Sequence, residues 1–162
     1  MNRITPLFKG LITGLVMIGV SLLLNYTGKA NSTTNQYLFY VLYAAGITWT
    51  LLAYYRSPNY KPAFGSIFNQ GFRCFIIISL VTVIFTGIYT SLHPEFAEQA
   101  AVAYRADLIK EGNKTPGQID EMVKTVKDRF VTGNISLAAF GTLITGALFT
   151  AAGAGLLIMR RN

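Results

Sequence analysis

Every acidic residue of this chain falls inside one stretch, Glu95 to Asp128, and outside it four long stretches carry no Asp, Glu, Lys or Arg. Those stretches run from Gly10 to Gly28, Ala30 to Tyr55, Cys74 to Pro94 and Phe130 to Met159. A helix on the surface of a soluble protein needs a polar face, with charges recurring every few residues away from the core. None of the four stretches has such a face. Each is long enough to supply the roughly 20 apolar residues that carry an α-helix across the hydrocarbon core of a bilayer. The charged share of the whole chain is 13%, about half that of an ordinary soluble domain.

The expected fold is therefore all-α: a four-transmembrane-helix bundle, one membrane domain over the whole chain, with an extramembrane helical hairpin between the third and fourth spans. The spans are placed at Leu7 to Tyr26, Tyr37 to Tyr55, Arg73 to Leu92 and Ile135 to Met159. Tyr26, Tyr37, Tyr54, Tyr55 and Tyr89 fall near the expected interfaces, where amphipathic rings collect. A cleaved signal peptide is the competing account of the first span, because Arg3 and Lys9 precede the apolar run and Gly28, Lys29 and Ala30 follow it. The run is long for that purpose and no A-x-A site closes it.

Four crossings put both termini and the Arg56 to Gly71 loop on one side, with the Thr27 to Gln36 loop and the acidic stretch on the other. The first side holds Arg3, Lys9, Arg56, Lys61, Arg73, Arg160 and Arg161 and no acid. The short opposite loop holds Lys29. The long loop sets Arg105, Lys110, Lys114, Lys124, Lys127 and Arg129 against all seven acids. Basic residues beside short loops weigh more in orientation than those in long ones, so both termini are expected in the cytoplasm.

The long loop has helical periodicity. Pro94 suits a first helical position, and Phe96, Ala100, Ala103, Tyr104 and Leu108 follow at helical spacing up to a stop at Gly112 and Asn113. Thr115, Pro116 and Gln118 form a capping-box pattern, and Ile119, Met122, Val123, Val126 and Phe130 then recur at offsets of three and four. Two amphipathic helices are expected, about 94–111 and 116–131. The second must bury its stripe against the first, the membrane surface or a partner. Gly133 and Asn134 are read as punctuation before the last span.

Helices in lipid attract one another through close contact of small residues. Gly10 and Gly14 make a GxxxG pair, and Ala138, Thr142, Gly146, Thr150 and Ala154 stand four apart along one face of the last span. Ser79, Gly87 and Ser91 share one line of the third span, and Thr82, Thr86 and Thr90 another. These faces fit contacts within the bundle and also an interface with a membrane-protein partner or a second copy. Gly10 and Gly14 with Ala138, Thr142, Gly146, Thr150 and Ala154 form the candidate interface together with Ile119, Met122, Val123 and Val126.

Signs of chemistry are few. No ionisable residue lies deep in a span, which speaks against proton-coupled transport, and Lys9 and Arg73 sit near span ends where they can snorkel to water. One His and one Cys are too few for a zinc site within the chain. His93 reads as an interfacial capping residue and Cys74 as a small inert side chain, with a catalytic histidine and a palmitoylated cysteine as the sharper alternatives. The loop carboxylates are interleaved with Lys and Arg as on a solvated face, although acid and base work or binding of a hard cation would use the same residue type. No nucleophile-elbow, phosphate-loop or dinucleotide motif occurs. No cofactor or metal is expected. The basic balance carries no clustered recognition module for nucleic acid beyond Arg160 and Arg161. Sequons at Asn25, Asn31, Asn113 and Asn134 matter only in a eukaryotic secretory pathway.

The stretch Phe64-Gly65-Ser66-Ile67-Phe68-Asn69-Gln70-Gly71-Phe72-Arg73 leads into an apolar span that closes with Tyr89 and His93-Pro94-Glu95-Phe96. With these cues and nearly the whole chain's span order and loop lengths, the sequence resembles the DUF4199 family of small Bacteroidetes membrane proteins, a family of unknown function. The resemblance implies a bacterial inner membrane, a periplasmic acidic loop and sequons without consequence; it carries over no catalytic residue. The function expected from these readings is that of a structural or accessory subunit, docking a partner through its outer helices and small-residue faces. The alternative is a passive pore or lipid-binding protein lined by Ser79, Thr82, Thr86, Thr90, Thr142 and Thr150. An enzyme using Glu95 and Glu98 ranks third.

Overall fold

The computed structural model describes residues 4–27 and 33–160, with residues 33–36 described by their backbone alone. Arg3, Lys29, Arg161, the Gly28-Lys29-Ala30 stretch and the Asn31 sequon lie outside the described residues. Among those described there are six helices and no strand: α1 (Pro6–Tyr26), α2 (Thr33–Tyr55), α3 (Phe64–Leu92), α4 (Glu95–Glu111), α5 (Pro116–Asp128) and α6 (Phe130–Met159). Four of them, α1, the Tyr37–Tyr55 part of α2, α3 and α6, are long and apolar enough to cross a membrane. The chain divides into two compact units, Met1–Thr82 with Ala139–Asn162, and Val83–Ala138.

Local chemistry sets several of the helix ends. The Thr5 hydroxyl accepts a hydrogen bond from the Phe8 N–H at 3.3 Å, and Pro6 takes the first helical position, where its missing N–H costs nothing. At Thr115 the capping box is complete: its hydroxyl accepts from Gln118 N–H, and its own N–H donates to Gln118 Oε1 at 3.0 Å. Gly112 ends α4 at φ 68°, a left-handed conformation in which a side chain would be strained.

α3 and α6 begin well before the positions at which the sequence reading places them. α3 starts at Phe64, not Arg73, because the Ser66 and Ile67 N–H groups both donate to Ala63 O, and Ile67 and Gly71 turn inward and are buried. The polar residues that suggested a loop, Gly65 and Asn69, lie on the exposed side of that extension. α6 starts at Phe130, not Ile135. Gly133 and Asn134 do not punctuate it: the Gly133 N–H donates to Arg129 O at 2.8 Å, and the Asn134 amide donates to Phe130 O at 2.9 Å. A short polar side chain can bond its own helix's carbonyl and so remain within the helix. With 29 and 30 residues, α3 and α6 are each about 44 Å long, more than a hydrocarbon core of roughly 30 Å requires.

In the larger unit Met17, Tyr43, Ile47, Leu51, Ile67, Cys74, Phe75, Ile78, Ala154 and Leu157 form one buried cluster drawn from α1, α2, α3 and α6. Small residues allow this approach. Gly10 faces the carbonyl of Cys74 so closely that a methyl group there would overlap the α3 backbone. Threonines fill two further glycine notches, Thr13 against Gly46 and Thr150 against Gly71. Gly146 lies under the Tyr43 hydroxyl and the Phe75 ring, with an added Cβ only 2.6 Å from Phe75 Cγ. The Tyr43 hydroxyl donates to Thr142 O at 2.7 Å and stands 3.4 Å from Ser79 Oγ, joining α2, α6 and α3.

In the other unit α4 and α5 pack against each other. Ion pairs Glu98–Lys127 and Arg105–Asp120 tie them, so seven residues forward along α4 correspond to seven back along α5. Ala101, Leu108 and Ile119 are buried, with Phe96, Ala100, Tyr104, Met122, Val123 and Val126 half-buried around them. Ala103, which the sequence reading put on the apolar stripe, is exposed. The inward line of α4 passes through Ala97, Ala101, Tyr104 and Leu108, and Ala103 lies off it.

Gly146→Ala is expected to destabilise the protein by about 1–3 kcal/mol, the usual cost of overfilling a close-packed core. Gly141→Ala, where none of the described residues lies within 4 Å of the added methyl, is expected to leave the thermal unfolding midpoint in detergent unchanged or slightly raised. Equal midpoints for the two variants would contradict this account of α6.

Candidate functional site

The residues read as an interface face the interior of their own units. In the larger unit Gly10, Gly14, Gly146, Thr150 and Ala154 are buried and Thr142 is half-buried. Gly14 is in contact with Val81 of α3, its ideal Cβ position lying 3.0 Å from Val81 Cγ1. In the other unit Ala138 is half-buried, Ile119 is 8% exposed, and Met122, Val123 and Val126 lie on the half-buried side of α5. Hydroxyl groups are similarly engaged. Thr82 donates to Ile78 O at 2.8 Å, Thr90 to Thr86 O at 2.7 Å and Thr142 to Ala139 O at 3.3 Å, each within its own helix. The Thr150 hydroxyl is fully buried and has no hydrogen-bond partner among the described residues.

The acidic segment carries most of the remaining polar chemistry, and its carboxylates are largely paired. Glu98 meets Lys127, Asp120 meets Arg105, and Glu111 accepts from Lys114 at 2.9 Å. These are surface pairs, each worth less than about 1 kcal/mol. His93 lies between the Tyr89 and Phe96 rings, with centroids at 4.5 and 5.4 Å, and its Nδ1 is 2.6 Å from Glu95 Oε1. Its carbonyl accepts from the Phe96 N–H at 3.2 Å, so the residue helps to start α4. Thus Glu95 and Glu98, the carboxylates considered for acid and base work, each have a nearby nitrogen partner. No group of three or more His, Cys, Asp or Glu side chains among the described residues could hold a metal ion. What the unit presents outward includes two large aliphatic side chains of α4, Val102 and Ile109, 68% and 60% exposed.

One polar residue lies where sequence reasoning did not put it. Lys9 does not extend into open water; it is 7% exposed, with its ammonium 5.5 Å from the centre of the Trp49 ring. Such a cation–π contact is worth about 0.5–2 kcal/mol, more as water is excluded. The signal that could have revealed it is the chain's single Trp, placed on the second span within reach of the first turns of α1.

Four membrane-length apolar helices, together with a small unit of paired amphipathic helices, define a chain consistent with a multi-pass helical membrane protein. The chain belongs to the family described as "Protein of unknown function (DUF4199)", which matches residues 9–161. No curated protein and no solved structure matches it.

The His93 contact, followed by a backbone hydrogen bond of its own, holds the Glu95 carboxyl below the ordinary carboxylate range. A lowered folded-state value favours the ionised form. The pair therefore contributes fully above the ordinary carboxylate range and is lost as pH falls through the lowered value. An NMR titration is expected to place the Glu95 midpoint below the ordinary carboxylate range, and His93→Ala to raise it back toward that range. An unchanged midpoint in the variant would remove His93 as the cause.

Proposed function

We propose that this protein is a structural or accessory subunit of a bacterial inner-membrane assembly, with no reaction of its own. In this reading both termini are cytoplasmic, the 93–134 segment is periplasmic, and α4 and α5 form an extramembrane helical hairpin that meets a membrane-protein partner. The observation that carries the reading is the exposed pair Val102 and Ile109. They lie seven residues apart, on one face of a helix whose other side is packed and ion-paired to α5. Aliphatic anchors at helical spacing on an ordered, water-facing helix suit insertion into a partner's apolar groove. The engaged hydroxyls of Ser79, Thr82, Thr90 and Thr142 give the conduit reading less support.

The full chain, tagged at its C-terminus and purified from native membranes in mild detergent, is expected to bring down a stoichiometric membrane protein. Val102→Glu with Ile109→Glu should reduce that recovery at least about tenfold, with folding unchanged because both side chains are outside the core. Undiminished recovery of the partner would refute the role of this face. Acidic substitutions at Ile119, Val123 or Val126 are unsuitable for this test, since they would disrupt the contact between α4 and α5 itself.

A further inference from the structure

The larger unit contains fixed positive charge without counter-charge. No Asp or Glu occurs anywhere in Met1–Thr82 or Ala139–Asn162, whereas Lys9, Arg56, Lys61 and Arg73 all belong to it. Of these, Lys9 is the one withdrawn from solvent, and among the described residues it has neither a carboxylate nor a hydrogen-bond acceptor. The Trp49 ring offers the Lys9 ammonium only a diffuse negative face, so N–H donors are left for whatever occupies the space beside it.

Lys9 lines a cleft of about 530 Å³ formed by the start of α1, the end of α2 and the beginning of α3. Arg56 and Gln70, whose side chains carry further N–H donors, also line this cleft. The rest of the wall includes Ile4, Ala53 and Trp49, and Trp49 is itself 42% exposed. The space therefore joins three nitrogen donors, two of them cationic, to an apolar and aromatic border. It lies where α1 and α2 bear exposed apolar side chains such as Leu7, Phe8 and Leu52. A small hydrated anion would use only the donors. An amphiphile with an anionic phosphate would use both parts: its oxygens would accept from Lys9, Arg56 and Gln70, and its glycerol and acyl portion would lie against Trp49 and the aliphatic wall.

We propose that this cleft is a binding site for the phosphate headgroup of an anionic phospholipid, with Lys9 as its central cation. The proposal concerns residues of the larger unit alone and stands independently of the accessory reading. Basic pockets between membrane helices suit such headgroups, because the surrounding low dielectric strengthens each charge-assisted hydrogen bond.

The chain's single tryptophan lies in the cleft, so its fluorescence reports occupancy directly. Full-length protein in a neutral maltoside detergent would be titrated with dihexanoyl phosphatidylglycerol, with dihexanoyl phosphatidylcholine and with inorganic phosphate. The expected result is a saturable Trp49 response to the phosphatidylglycerol, at least about tenfold weaker in Lys9→Met and in Arg56→Gln and retained in Lys9→Arg. Circular dichroism and gel-filtration elution establish that each variant is folded, and Arg56→Gln, at an exposed position, carries the test if Lys9→Met is not. Equal affinity for phosphatidylcholine would overturn the proposal, as would unaltered phosphatidylglycerol binding in the folded charge-removing variants. Saturation by inorganic phosphate at the same concentration would assign the cleft to a free ion and overturn the lipid assignment.

Discussion

The Tyr43 hydroxyl is the polar point on which the bundle is joined. In an apolar medium a donor without an acceptor costs several kcal/mol, so a buried phenol constrains whatever surrounds it. Here it donates to the carbonyl of Thr142 on α6 and meets Ser79 on α3, bringing three helices to one place. Gly146, one turn beyond Thr142, makes the geometry accessible, since any side chain there would occupy the space of the hydroxyl and of the Phe75 ring. The hydrogen bond and the glycine are one device.

The same economy of volume recurs where threonines meet glycines. Thr13 donates to Lys9 O of its own helix, 2.9 Å away, and its methyl and hydroxyl together fill the notch at Gly46. Thr150 fills the notch at Gly71 with its methyl, and its hydroxyl has no partner among the described residues. Association in lipid depends on such contacts because apolar side chains gain little by leaving an apolar solvent. That is why the small-residue lines of α1 and α6 are turned inward, while Leu137, Phe140, Ile144 and Leu148 of α6 are exposed.

The membrane-length helices were legible in the sequence because the absence of charge is itself the physical requirement. Capping at Thr115 and Gln118 was legible because both partners are local. The start of α3 was missed for the converse reason. Polar residues at 65–70 read as a loop when judged by composition, yet backbone hydrogen bonds to Ala63 O continue the helix through them, with Ile67 and Gly71 supplying an inward face. The inward line of α6 could be read from a spacing of four, but spacing alone does not say what it meets; only the Tyr43, Phe75 and Gly71 contacts do. Lys9 was illegible for a third reason. A lysine near a span end is ordinarily wet, and its burial here depends on Trp49, forty residues away in sequence.

Charge is handled by opposite means in the two units. The Val83–Ala138 unit contains all seven acids, together with bases that answer most of them as ion pairs on helix surfaces. The other unit has bases and no acid, so neutralisation cannot come from its own side chains. For exposed Arg56, Lys61 and Arg73 water is sufficient. For Lys9 it is largely excluded, and the Trp49 ring supplies only part of what a carboxylate or phosphate would. A buried cation facing a ring is thus a half-complete arrangement, and its remaining donors set the chemistry of whatever anion completes it.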